Sequence, residues 1–207
     1  MAERCGVLVS SNDLVDLVDD NDTVIGVARR FECHGNPAQI HRSVHVLLFN
    51  DCQQLLLQKR ATSKDIQPGK WDTSVGGHLD PGESYRAAAV REMFEELGVQ
   101  GVPLTQLYRS KIRNQIESEN ILTFMTIYSG PIVFAPDEID EVRFWSATEI
   151  ETALGSGCLT PNFEQEWQLF NAWLRRYKGT PQERAFCAGD SFPDLFRTLA
   201  EDFPVSK

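Results

Sequence analysis

Residues 76–99 read GGHLDPGESYRAAAVREMFEELGV, and no other stretch constrains the chain as tightly. Asp80-Pro81-Gly82 interrupts regular structure, Ser84 suits an N-cap, and Gly98 stands where a helix ends. Tyr85, Ala88, Ala89, Met93 and Leu97 recur at helical spacing and predict the inward face. Glu92, Glu95 and Glu96 then share a single turn, three and four residues apart, so their side chains can converge. Like charges so placed cost a few tenths of a kcal/mol per pair, roughly 0.2–0.5. A hard divalent cation such as Mg²⁺ reverses that sign, because it takes oxygen ligands and shares them with substrate phosphates. Arg91 follows Glu83 by eight residues and is expected to pair with Glu83 or Glu95 and hold the array. The paired glycines Gly76 and Gly77 permit a close backbone approach, which completes a cradle for a metal-bridged diphosphate and an activated water. A solvated charged face is the competing account of the glutamates alone.

The rest of the chain predicts a sheet around this helix. VDLVDDNDTVIGVARR alternates about an Asp-Asn-Asp turn and reads as a hairpin; HRSVHVLLFN and LLLQKR read as a second, more buried one. TSKDIQPGKW is a loop and WDTSV a short strand ending at the glycines. LTQLYRSKI, NILTFMTIYSG and EVRFWS are expected as strands, ATEIETALG and PNFEQEWQLFNAWLRRY as helices. Residues 1–12 are expected to be a loose leader, 13–178 the main domain, and 179–207 a helical appendix. In the appendix Phe192, Leu195, Phe196, Leu199 and Phe203 share a face expected to dock on the sheet, with a homodimer interface as the alternative.

Gly77, Glu83, Arg91, Glu92, Glu95, Glu96 and Gly98 stand at spacings that resemble the signature of the Nudix hydrolases. Seven fixed positions would match by chance on the order of 10⁻⁶ times per chain, so the solvated-face account recedes. The resemblance implies an α/β/α sandwich with a mixed sheet and Mg²⁺- or Mn²⁺-dependent cleavage of the diphosphate of a nucleoside diphosphate derivative. On matching positions Glu92, Glu95 and Glu96 correspond to metal ligands, one of them polarising water, and Glu83 with Arg91 to the orienting pair.

From about Leu14 to Tyr177 the chain is most similar to isopentenyl-diphosphate isomerases and the hydrolases related to them. That branch implies a second metal site at His34, His41, His78, Glu117 and Glu119, a donor set suited to Mn²⁺, Zn²⁺ or Mg²⁺. Arg60 and Lys64 match diphosphate-holding positions, with Lys59 and Lys70 as weaker candidates, and His45 is assigned to structure. The departures favour hydrolysis. Gly76 stands where the isomerases carry a Cys for protonating carbon, and Asn162 replaces a Trp set against the carbocation. The carboxylates that isomerases have mostly lost are all present. Isomerase-like activity and a non-catalytic nucleotide-binding module are the alternatives, and Glu119 or Glu141 the alternative bases.

The formal net charge of -10 disfavours loose binding to nucleic acid, leaving a small diphosphate compound as the expected partner. No run of about 18 apolar residues predicts a membrane span. Five widely spaced cysteines without a CxxC pair suit reduced thiols and a cytoplasmic location.

Overall fold

The alternating segment that opens the domain folds as expected: β1 (Leu14–Val18) and β2 (Val24–Arg29) pair antiparallel. Asp19 closes their turn by accepting the amides of Asn21 and Thr23, each at 2.9 Å. A short helix, α1 (Arg30–Cys33), leads into β3 (Ile40–Phe49). The computed structural model describes residues 14–64 and 66–176, so the expected leader and appendix lie outside the described residues.

The second expected hairpin forms, but its two strands pair only next to the turn. β3 and β4 (Leu55–Arg60) meet only at Phe49↔Leu55. Beyond that point β4 pairs with β9 (Ile139–Trp145), while β3 runs parallel to β8 (Ser118–Ile127) over its whole length. β3 is buried on both faces from Ser43 onward, so it needs partners along both edges, and the Asp51–Gln54 turn supplies neither. WDTSV also divides: β5 (Trp71–Asp72) pairs with β4, and β6 (Val75–His78) pairs with β3, placing Gly76 and Gly77 inside a strand. β7 (Thr105–Arg113) completes the mixed sheet on the edge of β8.

Alternation along β3 sorts the interior into two layers. Val44, Val46 and Leu48 pack with Ala88, Ala89, Met93 and Leu97 of α2 (Tyr85–Leu97). Leu47 and Phe49 pack on the other face with Ile150 of α3 (Ala147–Ala153) and with Phe163, Trp167, Phe170 and Trp173 of α4 (Pro161–Arg175). The result is helix, sheet, helix. α2 has the expected ends: Ser84 accepts the Ala87 amide at 3.2 Å, and Gly98 takes φ 66°. No helix among the described residues is long and apolar enough to cross a membrane.

Candidate active site

β6 is the partition of the site, because alternate residues of one strand face opposite layers. On the α2 side, a Cβ added to Gly77 would land on the carboxylate of Glu92. Glycine is therefore required for α2 to bring that acid against the strand. Glu92, Glu95 and Glu96 line a cavity of about 390 Å³, and Glu138, from the turn before β9, joins them. Arg91 ties the turn together. Its Nη2 donates to Glu83 Oε2 at 2.8 Å and to the His78 carbonyl at 2.9 Å, and its Nη1 reaches Glu92 at 2.8 Å and Glu95 at 3.1 Å. Burial alone would raise Glu83, but the Arg91 hydrogen bond holds it below the ordinary carboxylate range.

Glu96 is buried, with Gln58 donating to it at 2.9 Å. Burial pushes its carboxyl well above the ordinary range, and the charges of Glu92 and Glu138 add to the effect. Burial raises Glu92 as well, against the charge of Arg91. Arg91 contacts two of these four acids and Lys64 a third, while the side chain that meets Glu96 is the neutral amide of Gln58. An oxygen-preferring divalent cation would relieve the crowding of these acids, so the residues fit one.

On the α4 side, His41, His78 and Glu119 bring their ligating atoms within 4.8 Å of one another. His78 Nε2 lies 2.9 Å and His41 Nε2 3.2 Å from the same Glu119 oxygen. His41 is fully buried, yet neither of its ring nitrogens makes an aligned hydrogen bond. An imidazole left this way is costly unless something else accepts its lone pair. Burial pushes His78 down to about 4, which keeps it neutral as a ligand must be. Burial would raise Glu119, but the two imidazoles hold it well below its usual range. Two imidazoles and a carboxylate with an orphaned nitrogen fit a transition metal or Zn²⁺. His34 and Glu117 line the same cavity, of about 110 Å³, but stand outside this compact group. The His34 ring centroid is 6.3 Å from that of His78, and Glu117 accepts instead from Asn162 at 3.0 Å.

The expected phosphate residues separate. Arg60 lines the smaller cavity, held by the Ile66 carbonyl at 3.0 Å and Asp72 at 3.3 Å. Lys64 pairs with Glu138 at 3.1 Å, at the margin of the carboxylate cavity. Lys59 faces Glu141 across the β4–β9 ladder; Glu141 is exposed and lines neither cavity, whereas Glu138 lines one. Glu138 and Arg30 were not anticipated, since neither belongs to a spaced motif; only the acidic run Asp137-Glu138 hinted at the former. At Gly76, by contrast with Gly77, a Cβ would meet only Thr73 at 3.4 Å and His45 at 3.5 Å. Crowding does not impose glycine there. The site has room for the side chain that it lacks.

Comparison with known proteins agrees with this fold. The NUDIX domain family matches residues 39–163. The chain is 36% identical over 143 residues to an isopentenyl-diphosphate Delta-isomerase of Streptomyces avermitilis, covering 66% of this chain and 73% of that one. It is 34% identical over 162 residues to an uncharacterized Nudix hydrolase of Yersinia pestis, covering 78% of this chain and 86% of that one. Its fold is similar to the crystal structure of DR0079 from Deinococcus radiodurans, with a TM-score of 0.64 and 24% identity over 75% of this chain and 97% of that one. With its signature helix folded against the diglycine strand and the family match spanning most of its length, the chain belongs to the Nudix hydrolase family.

Proposed function

We propose that this enzyme hydrolyses the diphosphate linkage of a nucleoside diphosphate derivative in the presence of Mg²⁺ or Mn²⁺. The observation that carries the reading is the carboxylate cavity, where Glu92, Glu95, Glu96 and Glu138 gather beside a strand position, Gly77, that only glycine can fill without displacing Glu92. Glu92, Glu95 and Glu96 would hold the cation. When bound, such an ion neutralises phosphoryl charge and makes water a nucleophile near neutral pH. The chain's own residues do the rest. Arg91 fixes Glu92 and Glu95 in place, bracing the turn against Glu83 and the His78 carbonyl. One of these carboxylates would take the proton that the attacking water gives up. Arg60 offers a guanidinium for phosphoryl oxygens on the far side of β6.

The test replaces Glu95 and Glu96 by Gln and follows phosphate release over a panel of nucleoside diphosphate derivatives with Mg²⁺ and Mn²⁺. The wild type is expected to hydrolyse at least one, and the variant to lose on the order of a hundredfold or more, equivalent to about 2.7 kcal/mol of transition-state stabilisation. Equal rates would remove these carboxylates from the mechanism.

The His41, His78 and Glu119 group and the isomerase relatives favour a second reading, isomerisation of isopentenyl diphosphate. Against it, Gly76 offers no proton donor at carbon, and Asn162 spends its amide on Glu117. Deuterium incorporation from heavy water into isopentenyl diphosphate separates the readings; none is expected.

A further inference from the structure

On the α4 face of β3 the apolar core gives way to a charge. Leu47 and Phe49 belong to the core, but His45 lies buried against Glu166 of α4, its Nδ1 2.8 Å from Glu166 Oε2. The second carboxylate oxygen accepts from the Tyr108 hydroxyl at 2.6 Å and from Thr123 at 3.0 Å. Both oxygens are thus committed, and the carboxylate fixes the plane of the ring. A pair buried like this costs several kcal/mol per ion to desolvate, and hydrophobic residues of similar volume pack as well. Fold stability alone gives no reason for it.

The free edge of the ring supplies one. Hydrogen bonds among the described residues engage Nδ1 and leave Nε2. That edge borders the empty space above Gly76: a Cβ there would lie 3.5 Å from His45 Cδ2 and 3.9 Å from Nε2. His45 also lines the smaller cavity together with Arg60. Arg30, Gly76, Gly77 and His78 line both this cavity and the carboxylate cavity, so the two meet at β6. At about 110 Å³ the smaller one falls below the roughly 300 Å³ of pockets that take drug-sized ligands, leaving room for a phosphoryl group but not a nucleoside.

We propose that His45, fixed by Glu166, is a substrate-binding residue whose Nε2 donates to a phosphoryl oxygen where the diphosphate passes from the carboxylate cavity, beside Gly76, into the histidine-lined one. Burial alone would push His45 down, but Glu166 outweighs it and holds the imidazole above its ordinary value, the direction that favours a proton on Nε2. The inference rests on the diphosphate reading and names one end of the substrate's seat.

Methylenediphosphonate with Mg²⁺ is the probe, because it cannot be hydrolysed and reports binding apart from turnover. His45→Asn keeps an amide nitrogen in place of Nδ1 and removes Nε2. Calorimetry is expected to show affinity for the probe falling by about tenfold or more, with an unchanged amide fingerprint in NMR spectra. Should that variant fail to fold, the wild type labelled with ¹⁵N-histidine answers alone: the Nε2 resonance of His45 moves as the probe is added. Affinity within twofold of wild type, a stationary Nε2 resonance, or no binding of the probe by the wild type overturns the proposal. A wild type that binds the probe through His45 yet releases phosphate from no nucleotide keeps this inference and removes the hydrolase reading. A wild type that hydrolyses nucleotides while His45→Asn binds the probe unchanged does the reverse.

Discussion

Two adjacent glycines carry different obligations. Gly77 makes room for Glu92, and any side chain there must displace the carboxylate or the strand. Gly77→Ala is therefore expected to cost about 1–3 kcal/mol in denaturant unfolding, as overpacked sites do, and to lose phosphate release about as severely as removal of the acids. Gly76 has space on its own face and no positive φ, so Gly76→Ala is expected to be neutral or to stabilise by up to ~1 kcal/mol in the same assay. Should both variants unfold alike, the assignment of Glu92 to the strand is wrong. At this scale the sequence was legible wherever a role depends on spacing along one helix. Arg91 was expected to meet Glu83 or Glu95 and meets both. Glu138 was not legible, because its place depends on where β9 lies against β4, which local pattern does not encode.

The same division holds for elements. α2 could be read from end to end, since its caps and inward face are local properties of a few neighbouring residues. Ser84→Ala is expected to cost about 1 kcal/mol of stability and Ser84→Asp very little, measured by urea unfolding. Phosphate release by folded Ser84→Ala should stay within a few-fold of wild type. The carboxylate turn sits at the other end of the helix, secured by Arg91 and by Leu97 in the core. A large loss of turnover would show that the cap, rather than the core, sets the position of the acids. β3 behaved differently. Its composition announced a buried strand but not its neighbours: the parallel partner β8 lies far along the chain, and the turn of the expected hairpin pairs β3 with β4 only at Phe49↔Leu55. His45 alternates with the apolar face of β3 and reads as structural on that ground; its partner Glu166 is not legible locally, since it reaches His45 only once α4 crosses the sheet.

At the level of the whole molecule, cavities lie on both faces of β6, and the His45–Glu166 pair is a polar tie between the sheet and α4 within an otherwise apolar layer. Its contribution to stability depends on pH in a direction that the two shifts determine. Burial would raise Glu166, yet His45 and the hydroxyls of Tyr108 and Thr123 hold it below the ordinary 4.5. Its stabilisation is present above pH 4.5 and is lost as the pH falls through the depressed folded value. His45 is held above the ordinary 6.5, so its stabilisation is complete below that value and is lost as the pH rises through the elevated folded one. The tie is therefore strongest between pH 4.5 and 6.5 and weakens on either side. Removing one partner of a buried pair costs about 3–5 kcal/mol. Thermal melts of wild type and Glu166→Gln across pH 4 to 9 should show the largest gap in that window, narrowing toward alkaline pH as His45 loses its proton. A gap of constant height would mean that the pair is not ionised in the folded protein, and that Glu166 ties α4 to the sheet through uncharged hydrogen bonds.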